Sequence, residues 1–164
     1  MSNLRRYFKN GDIVFITIVT YGRECVLIED ADLLEDSLRS IRKSTSFETT
    51  AYVYLPDHIH LLLKSNSVDL PKLIQRFKMS FGAQYRIRHD MKSGRVWQNR
   101  YWDRIIRNQD DMNRHIDYIH YNPVKHGLVK RPYDWKYSSI HNYRDIYQDD
   151  WGVEVIDYGN GFGE

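Results

Sequence analysis

Residues 52–64 carry the pattern from which the fold can be inferred. Their sequence is Tyr-Val-Tyr-Leu-Pro-Asp-His-Ile-His-Leu-Leu-Leu-Lys. Two apolar runs flank a Pro-Asp corner, and this pattern predicts an antiparallel hairpin with a tight turn. Because successive side chains of a strand point to opposite faces, His58 and His60 share one face and Ile59 lies on the other. Two neighbouring imidazoles on a rigid strand can hold one metal ion. The same triplet also fits two strand histidines without a ligand.

Length and composition point to one globular domain. We expect a single domain at 1–150 of the 164 residues, followed by an acidic, Gly-containing tail at 151–164. Apolar residues make up 41% of the chain, which excludes wholesale disorder. The single cysteine, Cys25, excludes an internal disulfide framework and is typical of a reducing compartment. Since no apolar run is long enough to span a membrane and no signal peptide is evident, we expect a soluble, cytoplasmic protein.

Charge is unevenly distributed along the chain, although the net charge is only +2. Residues 72–107 contain ten Lys or Arg against two Asp, whereas residues 145–164 contain six acidic residues and no basic one. A basic segment interleaved with aromatic residues is typical of a surface that binds a polyanion and stacks on bases. From charge alone, a solvated helix face explains the segment equally well.

Hydrophobic periodicity and turn residues divide the chain into alternating strands and helices. We predict strands at 12–21, 49–55, 57–64 and 103–107, and helices at 30–44, 71–89, 108–122 and 134–147. Asp30 is expected to cap the first helix. Pro123 should end the third helix near Asn122, because proline disfavours the helical conformation in the residue before it. The order predicts an α+β fold with an antiparallel, ferredoxin-like sheet, helices packed on it, and an added C-terminal helix.

The third predicted helix carries a polar stripe beside its apolar one. At 100° per residue, His115, Tyr118 and Asn122 fall together, next to three apolar residues that would pack on the sheet. Tyr118 and Asn122 are four residues apart, so the helix can deliver a phenol and an amide oxygen to one point. A tyrosine between core and solvent beside a C-terminal Asn cap explains the spacing equally well.

Three motifs resemble the single-tyrosine HUH transposases. They are Leu-Pro-Asp-His-Ile-His-Leu-Leu-Leu (55–63), Val-Trp-Gln-Asn-Arg-Tyr-Trp-Asp-Arg (96–104) and Tyr-Ile-His-Tyr-Asn-Pro-Val-Lys-His-Gly-Leu-Val (118–129). Within that class the chain resembles the REP-associated tyrosine transposases, relatives of small insertion-sequence transposases that move single-stranded DNA. The resemblance covers roughly residues 12–130. It implies a ferredoxin-like core with the histidine pair on a central strand and the nucleophilic tyrosine, Tyr118, on a following helix.

The resemblance also implies a divalent metal, Mg²⁺ or Mn²⁺, held by His58, His60 and Asn122. Related transposases have Gln at the position of Asn122, and the shorter side chain still offers a carbonyl oxygen. Because Mg²⁺ prefers oxygen ligands, the imidazoles make Mn²⁺ plausible and leave room for Ni²⁺ or Zn²⁺. Tyr118 would attack a phosphodiester, giving a 5′-phosphotyrosine link and a free 3′-hydroxyl. The sequence does not identify the proton acceptor; the metal, a water and His115 are candidates.

The implied substrate is single-stranded or hairpin DNA, such as a REP-like element or an insertion-sequence end, and the implied location is the nucleoid. The basic residues expected to contact DNA are Arg5, Arg6, Lys72, Arg76, Lys78, Arg86, Arg88, Arg100, Arg104, Arg107 and Lys125. Insertion-sequence relatives act as dimers and REP-associated members as monomers, so the sequence leaves a homodimer and a monomer open. The recognised base sequence is also open.

Two other functions remain open at this point. One is a hairpin DNA- or RNA-binding module that keeps the fold without cleaving. The other is a metal-dependent nuclease in which water attacks in place of Tyr118. A separate hypothesis concerns the acidic segment from residue 145 onward, which could occupy the basic groove and regulate it.

Overall fold

A computed structural model describes residues 8–66, 69–148, 150–152 and 162. Its strands are β1 (Ile13–Val19), β2 (Phe47–Tyr54), β3 (His58–Ser65) and β4 (Trp102–Ile105), and its α-helices are α1 (Ala31–Arg42), α2 (Leu70–Arg88) and α3 (Gln109–Lys125). The strands form an antiparallel sheet in the order β2-β3-β1-β4. This is the predicted ferredoxin-like arrangement, with the additional helix following the last strand.

The two faces of β3 pack against different helices. Ile59 and Leu61 are buried in the core formed with α1 and α2. Leu62 is buried on the opposite face, with residues of α3. His58 and His60 share the face of Leu62 because side chains alternate along a strand, and both histidines are buried. The predicted hairpin and its alternation are confirmed, and they place the histidine pair on the side of the sheet that α3 covers.

Apolar residues at helical spacing seat α1 and α2 on the other face of the sheet. Leu34 and Leu38 of α1 are buried, as are Phe77 and Phe81 of α2. The predicted spacing is therefore confirmed for both helices. Within the described part of the chain, no helix is long and apolar enough to cross a membrane.

Asp30 is the N-cap residue of α1, as predicted, but its side chain has a different partner from the one expected. Asp30 precedes the helix, yet its side chain makes no capping hydrogen bond. Its buried carboxylate instead lies 2.9 Å from Arg88 Nη1 and 2.8 Å from His89 Nε2. A buried carboxylate needs a strong partner, and a guanidinium provides a stronger bond than a backbone N–H. Asp30 therefore joins the start of α1 to the end of α2.

Helix α3 continues past the proline that was expected to end it. It extends through Lys125 with Pro123 in its last turn, and the His126 N–H still bonds the Asn122 carbonyl at 3.0 Å. Proline removes one hydrogen bond to the residue four positions earlier. That loss is tolerated here because Pro123 is buried and only the final turn follows it. The predicted end at Asn122 is therefore wrong.

The residues after α3 do not form the predicted helix at 134–147. Two short 3-10 helices lie there instead, Pro132–Asp134 and Ser139–Asn142. Trp135 Nε1 donates to the Tyr54 carbonyl at 2.9 Å, and the Tyr143 hydroxyl donates to the Thr50 carbonyl at 2.6 Å. The aromatic residues that suggested a helix thus cover the outer strand β2, whose polar backbone groups would otherwise face solvent.

Strand β4 is short and is preceded by a bulge. It pairs with β1 from Thr17–Trp102 to Val14–Ile105, slightly earlier than the predicted strand at 103–107. Beyond this ladder, Thr20 pairs again with Trp97. Between these two pairs, β1 runs three residues, from 17 to 20, whereas the outer segment runs five, from 97 to 102. The outer segment is longer and therefore bulges outward.

His120 attaches α3 to the C-terminal segment. Its imidazole is buried, with Nε2 2.8 Å from Ser139 Oγ and Nδ1 3.2 Å from the Tyr147 hydroxyl. Burial lowers the pKa of His120 to about 3, well below the value of about 6.5 for histidine in an unfolded chain. Between these two pKa values, His120 binds more protons in the unfolded state than in the folded state. The stabilisation by neutral His120 is therefore complete above pH about 6.5 and is lost as pH falls toward 3.

We expect His120→Gln to flatten the pH dependence of stability on the acid side. Between pH 6 and pH 4 the free energy of unfolding of the wild type should fall by up to about 1.4 kcal/mol per pH unit more than that of the variant. Urea unfolding at several pH values measures both slopes. His126→Gln, which changes an exposed histidine beside the same helix, is the matched control. Equal slopes in wild type and His120→Gln would contradict the prediction.

Candidate active site

The two histidines of β3 are each held through Nδ1. His58 Nδ1 lies 2.6 Å from Asp57 Oδ1, and His60 Nδ1 lies 2.9 Å from the hydroxyl of Thr17, its cross-strand partner. That hydroxyl donates to the Phe162 carbonyl at 3.3 Å, so its oxygen accepts from His60. Nδ1 therefore carries the proton in both rings, and Nε2 carries the lone pair.

Asp57 keeps its negative charge through two partners. The hydrogen bond to His58, together with Arg23 Nη1 at 3.1 Å, lowers the pKa of Asp57 to about 2. At neutral pH the carboxylate is therefore ionised and accepts the Nδ1–H of His58. A carboxylate in this position orients the imidazole and makes its other nitrogen more basic. Sequence reasoning treated Asp57 only as a turn residue and missed this role.

Tyr118 faces the histidine pair from α3. The ring centroids of Tyr118 and His60 are 5.4 Å apart, and the tyrosine side chain is fully buried. Asn122, one turn later, is also buried, and its Nδ2 lies 3.5 Å from the Tyr118 carbonyl. His115, one turn earlier, is buried against Phe15 of β1. The structure thus places the three predicted polar residues of α3 on its buried side.

Lys125 contacts the hydroxyl of Tyr118. The two residues are two helical turns apart and lie on the same side of α3. Lys125 Nζ donates to Tyr118 Oη at 3.1 Å and lies 4.9 Å from the centroid of its ring. The ammonium group is therefore placed to interact with negative charge that develops on this oxygen. The sequence analysis predicted Lys125 only as a DNA contact. The spacing of seven residues on one helix already indicated that Lys125 lies on the same side as Tyr118.

His126 is another neighbour of the site that sequence reasoning missed. It directly follows α3, is exposed, and its ring centroid lies 5.1 Å from that of His58. The centroids of His58 and His60 are 4.9 Å apart. Among the described residues, no group of three or more His, Cys, Asp or Glu side chains could hold a metal ion. A metal at this site would therefore need the amide oxygen of Asn122 and oxygens from water or substrate.

The residues present fit a borderline divalent ion. Metal-binding histidines usually donate their second ring N–H to a carboxylate or another oxygen, as His58 and His60 do here. Two neutral imidazoles and one amide oxygen suit Mn²⁺ better than Mg²⁺, which prefers oxygen ligands throughout. The metal site itself stays a prediction.

The ring of Phe162 covers Tyr118. The two ring centroids are 3.9 Å apart with an interplanar angle of 12°, and Phe162 is itself buried. Another planar group cannot stack on this face of the Tyr118 ring unless Phe162 moves. The hypothesis that the acidic tail occupies the basic groove concerns residues that lie mostly outside the described part of the chain. Phe162, the described residue near its end, lies on Tyr118 instead.

The basic residues predicted to contact DNA are dispersed over the structure, and their contact with DNA stays a prediction. Arg5 and Arg6 lie outside the described residues. Lys72 and Arg76 line a cavity of about 380 Å³ beside the end of β3, remote from the histidines at its start. Bonds to backbone carbonyls or to aspartates hold the side chains of Lys78, Arg86, Arg88 and Arg104. Arg100 and Arg107 are exposed.

Lys78 holds the bulge before β4 against α2. Its Nζ lies 2.8 Å from the Gln98 carbonyl oxygen and 3.4 Å from those of Asn99 and Arg100. Burial lowers the pKa of Lys78 to about 8. The Gln98 N–H bonds the carbonyl of Val19, the residue paired with His58, so the bulge lies at the histidine end of the sheet. The side chains of residues 98–100 are exposed there.

We expect both His58 and His60 to be Nδ1–H tautomers above pH 7. Asp57→Ala should shift His58 toward a mixture of tautomers because its Nδ1–H loses the carboxylate acceptor. Two-bond ¹⁵N–¹H correlation NMR of histidine-labelled protein distinguishes the tautomers. Thr17→Val is the matched variant and should alter His60 while leaving His58 unchanged. A predominant Nε2–H tautomer at either residue of the wild type would contradict the geometry.

Comparisons with known proteins identify the family of the chain. A family model described as "Transposase IS200 like" matches residues 8–122. A protein of Haemophilus influenzae assigned as a REP-associated tyrosine transposase is 39% identical over 168 residues, covering 93% of this chain and 94% of the relative. The REP-associated tyrosine transposase of Escherichia coli is 33% identical over 166 residues, covering 98% of this chain and 97% of the relative.

A solved structure shows the same fold. The structure of a REP-associated tyrosine transposase bound to a REP hairpin matches with a TM-score of 0.84 and 32% identity, covering 100% of this chain and 98% of that one. The family match spans more than half of the chain, and two relatives above 30% identity cover nearly all of it. The chain therefore belongs to the IS200-like transposase family and, within it, to the REP-associated tyrosine transposases.

Proposed function

We propose that this protein is a metal-dependent transposase or nickase that cleaves and rejoins single-stranded DNA beside a hairpin, through a 5′-phosphotyrosine on Tyr118. The observation that carries the proposal is the position of Tyr118, whose ring faces His60 and whose hydroxyl accepts a hydrogen bond from Lys125. The similarity to a relative solved with a REP hairpin supports hairpin DNA as the substrate.

The metal-holding residues in this proposal are His58, His60 and Asn122, with Mn²⁺ or Mg²⁺ as the ion. When bound, the ion would polarise a non-bridging phosphate oxygen and help to orient the scissile phosphate. Asp57 and Thr17 contribute by bonding Nδ1 of the two histidines through their side chains, so that Nε2 of each ring is left for the ion.

Tyr118 supplies the nucleophile. Its hydroxyl loses a proton as the oxygen attacks phosphorus, a new O–P bond forms, and the bond from phosphorus to the 3′ oxygen breaks. The 3′ oxygen takes up a proton and leaves as a hydroxyl. Lys125 stabilises the negative charge on the phenol oxygen before the new bond forms. Because the phosphodiester energy is retained in the phosphotyrosine, attack by a 3′-hydroxyl reverses the step without ATP.

We expect a covalent protein–DNA adduct with wild-type protein and none with Tyr118→Phe. The substrate is labelled single-stranded hairpin DNA from sequence flanking the gene, with Mn²⁺ or Mg²⁺, analysed on a denaturing gel. His58→Ala should lower the adduct yield by about 10²-fold or more, because one metal-holding imidazole is removed. Tyr121→Phe, which changes a neighbouring tyrosine on another side of α3, is the matched control and should still form the adduct.

Each of the two alternative functions predicts a different result in that experiment. Cleavage that survives Tyr118→Phe would indicate a water nucleophile and hence a hydrolase. Tight binding without cleavage, on DNA that contains the correct site, would indicate a binding module of the same fold. Either outcome would overturn the proposed tyrosine transfer.

We expect Lys125→Met to lower the rate of adduct formation by about 10²-fold at pH 7 without weakening DNA binding. Single-turnover rates and an affinity measurement with uncleavable DNA test both parts. Lys125→Arg keeps the charge and should retain most of the rate. An equal loss of rate and affinity would instead indicate a DNA backbone contact.

A further inference from the structure

The ring of Phe162 occupies a slot lined by aromatic side chains beside the proposed nucleophile. The side chains of Phe15, His115 and Tyr118 form this aromatic slot. Tyr118 is its floor, because the Phe162 ring stacks on it at 3.9 Å and 12°. Phe15 meets Phe162 edge-on at 6.2 Å and 85°, and His115 meets it at 5.0 Å and 60°. The slot therefore admits one planar ring, parallel to Tyr118.

The slot borders the histidine pair. The Phe162 carbonyl accepts a hydrogen bond from Thr17, whose hydroxyl also bonds His60. Phe15 stacks on the His60 ring at 5.3 Å and 21°. A ring in the slot is thus held within contact of Tyr118 and close to the residues proposed to bind the metal. In the proposed reaction, this is where nucleotides next to the scissile phosphate must pass.

His115, which forms one wall of the slot, carries a buried acceptor. Its Nδ1 lies 2.6 Å from the Asp111 carbonyl of the same helix and therefore carries the proton, and burial lowers the pKa of His115, which keeps the ring neutral. Nε2 is then an acceptor, directed away from that carbonyl, and it has no hydrogen-bond partner among the described residues. The side chain is only 1% exposed. A buried acceptor of this kind is satisfied by an N–H donor on the edge of whatever ring enters.

We propose that the aromatic slot binds one unpaired nucleobase of the DNA substrate, stacked on Tyr118 in place of Phe162 and donating an N–H to His115 Nε2. The inference rests on the proposed function, because the base belongs to a nucleotide next to the scissile phosphate. All four bases carry an N–H on their Watson–Crick edge. In a duplex that edge is occupied by the opposite base and the ring is stacked within the helix, so the slot selects unpaired over paired DNA.

The first experiment scans the unpaired nucleotides of the hairpin substrate. Each is replaced in turn by an abasic residue, and the rate of adduct formation is measured with wild-type protein. At one position next to the scissile phosphate, loss of the base should lower the rate by about 10- to 100-fold, the range expected for loss of a base stacked on an aromatic side chain. If the unmodified substrate forms the adduct and no abasic position lowers its rate, the slot does not bind a base.

The second experiment detects stacking without chemistry. 2-Aminopurine is placed at each unpaired position, and its fluorescence is recorded with Tyr118→Phe, which keeps the aromatic floor and cannot form the adduct. We expect quenching at the position found by the abasic scan. Phe162→Ala in the same background should strengthen DNA binding because it empties the slot, whereas Phe162→Tyr, which keeps a ring there, should not. Absence of quenching at every position would overturn the inference.

A matched pair of variants tests the hydrogen bond to His115. His115→Phe keeps a planar wall and removes the acceptor, whereas His115→Gln keeps an acceptor oxygen. Replacing the bound base by a nonpolar analogue of the same shape should weaken binding to wild type and to His115→Gln, but not to His115→Phe. These binding readouts separate the two hypotheses: quenching without any adduct would reject the tyrosine chemistry alone, and adduct formation without base dependence would reject the slot alone.

Discussion

The antiparallel pairing of β1 with β3 is the constraint on which the site depends. It sets Thr17 directly opposite His60, so the hydroxyl that holds this imidazole is supplied by strand register. A slip by one residue would turn both histidines to the face covered by α1 and α2. Ile59 and Leu61 oppose such a slip, because it would remove them from the core that they share with those helices.

One helix orientation fixes the other half of the site. His115, Tyr118 and Asn122 are buried on one side of α3, and Lys125 follows Tyr118 after two further turns. Rotation of α3 about its axis would move all four groups together, so their positions are not independent. Ile116 and Ile119 prevent this rotation by packing against the sheet residues of the same core. Apolar packing thus sets the geometry of the polar groups.

Much of this arrangement could be predicted from local periodicity. Strand alternation placed His58 and His60 on one face, and the helical repeat grouped Tyr118 with Asn122. The misses arise where tertiary contacts outweigh local preference. The Asp30 carboxylate pairs with Arg88 of another helix and makes no capping hydrogen bond, and buried Pro123 does not end α3.

Phe162 lies in a tail with no periodic pattern, 44 residues after Tyr118 in the chain, so no local rule could place it in the site. The same applies to the C-terminal aromatic residues, whose spacing fits a helix but whose partners are backbone groups of β2.

Burial of Tyr118 has a chemical consequence for the proposed reaction. A phosphotyrosine must persist until a 3′-hydroxyl returns, and hydrolysis by water would lose the bond energy that rejoining requires. In the proposed reaction, a slot filled by Phe162 before DNA binds, and by a base afterwards, would keep water away from Tyr118 in both states.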